Sequence, residues 1–192
     1  GEVSRTQASG DFLSSGDKEL LELLERSGAE LYALLTRLTL REDVAEELMQ
    51  DLFIKLRKAG GAARAANLNA YARRAAINLA FDWRRTRRRA GHRLGQIAEP
   101  VAGNTLPLST LIQSEEMQEM LNAIGRLKKA AREVLVMRYI QQRSYDDIAR
   151  QTGKTSHQVR AMCSRSIRHL RDVLGSNHSQ SAAKEINNVQ NK

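Results

Sequence analysis

Cysteine occurs once in the 192 residues, at Cys163. One thiol excludes a disulfide framework and a cysteine-rich zinc site. Cys163 adjoins an apolar helical stripe and reads as a packing residue. The four histidines are scattered without metal-ligand spacing, so no metal and no cofactor are expected. No apolar run approaches the ~20 residues of a membrane span. No signal-peptide pattern precedes the first helical segment, and the expectation is a cytoplasmic protein without membrane insertion. Proline is nearly absent as well. Pro100 and Pro107 both fall in AGHRLGQIAEPVAGNTLPLSTL (90–111), together with Gly91, Gly95 and Gly103. Such punctuation marks a linker.

Charge of one sign is what the chain has in excess. Lys and Arg number 31 against 22 Asp and Glu, a net charge of +9. That balance favours a partner bearing phosphates, although it says nothing about fold. Neither an internal repeat nor a run of β-branched alternation is present, so the fold class is all-α, with two small helical domains joined by a flexible linker. The sequence divides into a polar N-terminal tail (1–16), a helical part (17–90), a linker (91–113), a second helical part (114–174) and a polar C-terminal tail (175–192). Both tails are aperiodic and are expected to be disordered.

In the first part, leucines at 20, 21, 23, 24, 31, 34, 35 and 38 predict a helix over Asp17–Leu38, with Gly28 as a point of interruption. A second helix starts near Arg41. Val44, Leu48, Leu52 and Leu56 form one stripe at i, i+4 spacing, flanked by Ala45, Met49 and Phe53. Asp43, Glu47, Gln50, Asp51 and Ile54 take the opposite face. GGAARAANLN (60–69) reads as a loop.

The third helix contains YARRAAINLAFDWRRTRRR (71–89), with seven arginines and one acid. At about 100° per residue, Leu68, Ala72, Ala75, Ala76, Leu79 and Trp83 share the arc expected to be buried. Tyr71, Asn78 and Asp82 lie along one flank. The far side collects Arg73, Arg74, Ile77, Phe81, Arg84, Arg85 and Arg88. That side holds no acid and places two large apolar residues among arginines, which suits a polyanion better than simple solvation.

The second part carries SYDDIARQTGKTSHQVRAMCSRSIRHL (144–170). Ser144 with Asp147 resembles a capping arrangement. A short helix runs from Tyr145 to Gln151, Gly153 supplies the turn, and Thr155 or Ser156 caps the next helix. Val159, Met162, Ser166 or Ile167, and Leu170 point inward. Ala149, Gly153, Val159 and Met162 have the spacing of a helix-turn-helix, where a small residue lets two helices approach and glycine permits positive φ. The outward face is Ser156, His157, Arg160, Ala161, Ser164, Arg165 and Arg168, which suits a major groove. Helices at Ser114–Leu127 and Ala130–Ile140 supply the scaffold.

These features together resemble the bacterial RNA polymerase sigma-70 family, in its extracytoplasmic-function type that keeps only sigma regions 2 and 4. DVAEELMQDLFIKLRKA (43–59) resembles region 2.2, and NAYARRAAINLAFDWRR (69–85) is similar to regions 2.3–2.4. Residues 127–174 resemble region 4, ungapped across the helix-turn-helix. The resemblance implies that Glu47, Gln50 and Asp51 dock on the clamp of the polymerase β′ subunit, with region 4 on the β flap. It implies that loop 60–69 and Asn78 receive the unpaired strand of the −10 element, while Arg73, Arg74, Arg84, Arg85 and Arg88 hold its phosphates. His157, Arg160, Ser164 and Arg165 would read the −35 element, with Thr155 and Ser156 on phosphate. The family's usual Arg before the Asn is Ile77 here, and the usual Leu after position 83 is Arg84. The expected partners are core RNA polymerase and promoter DNA. An anti-sigma factor is a further partner the family allows, although no residue identifies one.

Two rival readings remain at this stage. A helix-turn-helix regulator that binds duplex DNA without polymerase accounts for 114–174 but leaves Glu47, Gln50, Asp51 and Asn78 without a role. A nucleic-acid-processing enzyme needs a converging nucleophile or carboxylates. Asp43, Asp146 and Asp147 do not converge, and no enzymatic activity is expected.

Overall fold

The computed structural model describes residues 15–64, 67–94 and 108–190, with side chains described over 16–59, 67–91 and 115–175. Seven α-helices account for the regular structure of these residues, and no strand occurs among them. The chain forms two compact units, Gly1–Ala80 and Phe81–Lys192. The Pro/Gly-rich residues 95–107 lie outside the described residues, as do the first 14 residues of the expected N-terminal tail.

The first unit begins with α1 (Ser15–Thr39). Its leucines at 20, 23, 31, 34, 35 and 38 are buried, as the periodicity requires. Each such side chain removed from water contributes ~1.5–3 kcal/mol. Gly28 sits inside the helix without breaking it, and a Cβ built there meets nothing within 4 Å. The helix ends at a tight reversal. Leu40 adopts φ 59°, the left-handed conformation that closes helix C-termini. Thr39, fully buried, hydrogen-bonds the Leu35 carbonyl at 2.9 Å and accepts from the Arg41 amide at 3.3 Å. The turn therefore satisfies the helix-end groups that burial would otherwise leave unpaired.

So short a connection makes α2 (Glu42–Arg64) the neighbour of α1. Glu42 and Asp43 lie in its first turn, where carboxylates favour the positive end of the helix dipole. The Arg41 hydrogen bond holds the Asp43 carboxyl below its ordinary range. Val44, Ala45, Leu48, Leu52 and Leu56 are buried, matching the predicted stripe. The helix continues to Arg64, where a loop from Gly60 was expected. GGAAR contains two alanines, the strongest helix former, which offset the glycine cost. Of the rest of that expected loop, residues 65 and 66 lie outside the described residues, and Leu68 and Asn69 already belong to the next helix.

Helix α3 spans Leu68–Leu94. In the second unit α4 (Leu108–Gly125) precedes α5 (Lys129–Leu135), which runs on through a π-helical turn over Val136–Ile140. The amide of Gln141 donates to the Val136 carbonyl at 3.0 Å, the i→i+5 bond of such a turn. Two further helices follow, α6 (Tyr145–Thr152) and α7 (Ser156–Gln190). Leu121, Val134, Val136, Met137, Ile148 and Val159 form the core of this unit, all 1% exposed or less. Along α7, Val159, Cys163, Ser166 and Leu170 are buried. Cys163 takes the inward position assigned from sequence to Met162, which is half-buried. Burial raises the Cys163 thiol above its ordinary range.

The backbone of α7 is helical to Gln190, beyond Gly175, from which a polar, aperiodic tail was expected. Past that glycine the segment contains neither Gly nor Pro, so nothing in it breaks a helix already nucleated by the packed turns before it.

Between α6 and α7 the chain reverses at Gly153, whose φ is +67°. A side chain there has open space, with nothing within 4 Å of a built Cβ, so the cost of adding one is backbone strain alone. Gly153→Ala is expected to lower stability by ~1 kcal/mol in urea unfolding. Gly28→Ala, in a helix interior with open space, is expected to raise it by ~0.5–1 kcal/mol.

Candidate nucleic-acid interface

The orientation of α3 decides which arginines face solvent. Ile77 is 0% exposed and Phe81 2%, so the large apolar residues of the arginine side mark a buried stripe. Ala70, Arg73, Ile77, Ala80, Phe81 and Arg84 recur along it at three- and four-residue steps, and all are buried. Leu79 and Trp83, expected inside, are only half-buried. The expected arc is right at Ala72, Ala75 and Ala76, which are buried, but the buried surface extends round to the arginine side, which was expected to face outward. A guanidinium can be buried when acceptors meet its donors.

Both buried arginines have such acceptors, although Arg84 Nε is left without one. Arg73, 8% exposed, pairs with Glu30 at 2.8 Å. Arg84, 7% exposed, donates to the backbone carbonyl of Gln118 at 3.1 Å, to Gln118 Oε1 at 2.6 Å and to Asn122 Oδ1 at 3.0 Å. Burial, and then the charge of Arg87, push its guanidinium down to about 10, still a cation at neutral pH. Beside it, Arg132 lies over the Phe81 ring at 5.0 Å, and burial lowers its guanidinium below the ordinary value. Gly125 permits this packing, since a Cβ there would stand 3.2 Å from Phe81 Cδ1.

What α3 presents instead is the flank. Tyr71, Arg74 and Asn78 are half-buried, and Asp82, Arg85, Arg88 and Arg89 are exposed. Asn78 Nδ2 donates to the Arg74 carbonyl at 2.7 Å, one helical turn back. Arg85 pairs with Asp82 at 2.7 Å, and Arg87 lies over the Trp83 ring at 5.5 Å. Of the six α3 residues expected to touch the −10 strand, Arg74, Asn78, Arg85 and Arg88 are thus accessible in some degree. Arg73 and Arg84 are turned inward. Arg87 and Arg89 were not among those six, and only their place in the same basic run points to them.

On α2, Glu47, Gln50 and Asp51 are exposed on one face with Ile54, which is 48% exposed. An uncovered isoleucine among acids is what a protein-docking face looks like, although a single one needs no explanation.

The helix-turn-helix is built by two caps. Ser144 accepts from the Asp147 amide at 3.0 Å and donates to Asp147 Oδ2 at 2.7 Å. That bond, and a further one from Arg150, lower the Asp147 carboxyl below its ordinary range. Thr155 and Gln158 form a reciprocal capping box: the Gln158 amide donates to Thr155 Oγ1 at 3.2 Å, and the Thr155 amide to Gln158 Oε1 at 3.0 Å. Thr155 is therefore the cap of α7, and Ser156 is its first residue. The Ser156 hydroxyl donates to Asp146. Ile148 and Val159, both fully buried, lock α6 against α7. Their packing leaves His157, Gln158, Arg160, Ser164, Arg165 and Arg168 exposed on one side of α7. Arg160 lies over the Tyr145 ring at 5.2 Å. The expected −35 residues therefore share one helix face, with Thr155 and Ser156 at its start.

Among the described residues, no group of His, Cys, Asp and Glu could hold a metal, and no helix is long and apolar enough to cross a membrane.

The two classes of arginine on α3 separate by stability. Arg84→Ala strands the acceptors of Gln118 and Asn122 and is expected to cost ~1–3 kcal/mol. Arg88→Ala is expected to stay within ~0.5 kcal/mol of the parent. Chemical unfolding of both variants measures the difference, and equal stabilities would place Arg84 on the surface.

Comparison with known proteins divides the chain between residues 90 and 117, later in sequence than the boundary of the compact units. Residues 23–90 match the family model for sigma-70 region 2, and residues 117–170 match that for sigma-70 region 4. No curated protein is significantly similar in sequence. Among solved structures, the sigma factor RpoE in complex with the anti-sigma factor NepR, from Bartonella quintana, is 25% identical with TM-score 0.46. That match covers 82% of this chain and 95% of that one. CnrH, solved in complex with the cytosolic domain of CnrY, is 17% identical with TM-score 0.49, over 84% of this chain and 91% of that one. With region 2 followed by region 4 and only residues 91–116 between the two matches, the chain belongs to the sigma-70 family and has the two-region organisation of its extracytoplasmic-function type.

Proposed function

We propose that this chain is a promoter-specificity subunit: it binds core RNA polymerase, directs it to −10 and −35 elements, and helps open the duplex. The observation that carries this reading is the occurrence of both sigma regions in order in one chain, each with an exposed polar face. The domains that act are 17–90 and 114–174, joined by 91–113. The chain works without a catalytic step, in the cytoplasm, by supplying contacts that core polymerase lacks. A regulator acting without polymerase accounts for region 4 alone and leaves region 2 without a task.

Region 2 docks through Glu47, Gln50 and Asp51 on the β′ clamp, where the exposed Ile54 adds apolar area beside the acids. Region 4 meets the β flap. The −10 strand runs along the accessible flank of α3. Arg74, Arg85 and Arg88 draw its phosphates, and Asn78 offers an amide to a base. Arg73 and Arg84 serve that surface indirectly, by fixing the rotation of the helix that carries it. Holding an unstacked base costs a few kcal/mol, which stacking and backbone contacts must offset.

Region 4 reads the −35 duplex with α7 in the major groove. Arginine suits guanine, since its fork meets O6 and N7 together. Arg160 and Arg165 carry that chemistry, His157 and Ser164 supply further polar contacts, and Thr155 and Ser156 lie where a phosphate would approach the helix start.

Two measurements test this reading. Alanine at Glu47, Gln50 and Asp51 together is expected to abolish co-purification with core polymerase while leaving thermal unfolding unchanged. Retained binding would sink the sigma reading. Arg160→Ala is expected to weaken holoenzyme binding by ~1–3 kcal/mol at one base pair of the −35 element. An equal loss on every sequence would make it a phosphate contact.

A further inference from the structure

Arg160 is the exposed arginine in the middle of the helix-turn-helix face, and a long side chain there has many rotamers to lose on binding. Among the described residues it forms no ion pair, and its one fixed contact is aromatic. Its guanidinium lies 5.2 Å from the centroid of the Tyr145 ring. Tyr145 is the first residue of α6, directly after the Ser144 cap, so its backbone is set by a hydrogen-bonded helix start. The ring is held independently as well. Arg138, from the π-helical turn, lies over it at 4.7 Å, and donates through Nη1 to the Arg143 carbonyl at 3.0 Å. The ring is thus a fixed platform, and Arg160 is the mobile group resting on it.

We infer that Tyr145 is a specificity-determining positioning residue: its ring pre-orients the Arg160 guanidinium for one base pair of the duplex read by α7. The inference rests on the proposed −35 role of α7 and adds a residue that itself contacts no base. A guanidinium held over a ring by its positive charge has no hydrogen-bond donor consumed by that contact, so its N–H groups stay available for bidentate bonding. Pre-orientation removes part of the ordering cost at binding, and it acts on discrimination because only the correct base accepts from the fork in that pose.

The test uses the full-length chain assembled with core polymerase. A duplex library randomised across one helical turn first yields the sequence preferred by the parent. Binding is then measured by anisotropy on that duplex and its single-base variants. The comparison takes in the parent, Tyr145→Phe, Tyr145→Met, Arg160→Ala and the Tyr145→Met/Arg160→Ala double variant. Arg160→Ala is expected to lose about tenfold discrimination at one base pair. Tyr145→Met is expected to lose severalfold at the same pair, Tyr145→Phe to retain it, and the double variant to be no worse than Arg160→Ala. Parent-like discrimination by Tyr145→Met, a loss spread evenly over all duplexes, or an additive double variant each overturns the inference while leaving the promoter reading intact. Tighter binding by Tyr145→Met also overturns it, because the ring would then be sequestering Arg160. A parent that enriches no sequence overturns the promoter reading itself. NMR of the parent chain gives a readout that survives poor folding of any variant. Arg160 side-chain protons are expected upfield under the Tyr145 ring, and unshifted resonances overturn the contact.

Discussion

A guanidinium withdrawn from water needs acceptors for its donors, and that requirement sets the rotation of α3. Arg84 meets it with three bonds to Gln118 and Asn122, and Arg73 with Glu30. Between them along the helix, Ile77, Ala80 and Phe81 are buried. Once that stripe is inside, the position of every other side chain on α3 follows from helical geometry. Arg74, Asn78, Asp82 and Arg85 must fall on the flank, and Arg88 must reach solvent. The available face is therefore determined by two arginines that do not belong to it.

The helix-turn-helix depends on more local causes. Two caps, one at Ser144 and one at Thr155, start its helices, and the left-handed Gly153 separates them. Each device acts within a few residues and needs no tertiary partner. Burial of Ile148 and Val159 then sets the rotation of α7 relative to α6. The chain of cause is short, from cap to helix start, to packed pair, to exposed basic edge. It explains why the residues assigned to this edge from sequence were found on it.

That contrast accounts for what was legible in advance. The stripe of α2, the turn at Gly153 and the face carrying His157, Arg160, Ser164 and Arg165 follow from periodicity and cap chemistry, which are local. The core of α3 followed only at Ala72, Ala75 and Ala76, because the burial of Arg73 and Arg84 depends on acceptors 43 and 34 or 38 residues away. A usable signal was present. Ile77 and Phe81 are two large apolar side chains one helical turn apart, and weighting them above the neighbouring arginines extends the arc towards its observed place. The loop expected from Gly60 is helical as far as Arg64 for a different reason: two alanines follow its glycines, and alanine favours helix.

A net charge of +9 is therefore a poor measure of how many phosphates the chain can hold. Arg84 has its Nη2 committed inside the protein, and Arg73 is committed to Glu30. Arg85 must exchange Asp82 for any phosphate it meets, so its gain on binding is reduced by the pair it gives up. Arg160 rests on a ring that leaves its hydrogen-bonding edge open, and Arg88 is exposed. One residue type thus occupies three settings, defined by what lies within a few ångströms: buried among acceptors, over an aromatic ring, and exposed to solvent. Only the last contributes to affinity in simple proportion to its charge. Selectivity has to come from the oriented arginines, because an arginine without a fixed pose discriminates charge but not sequence.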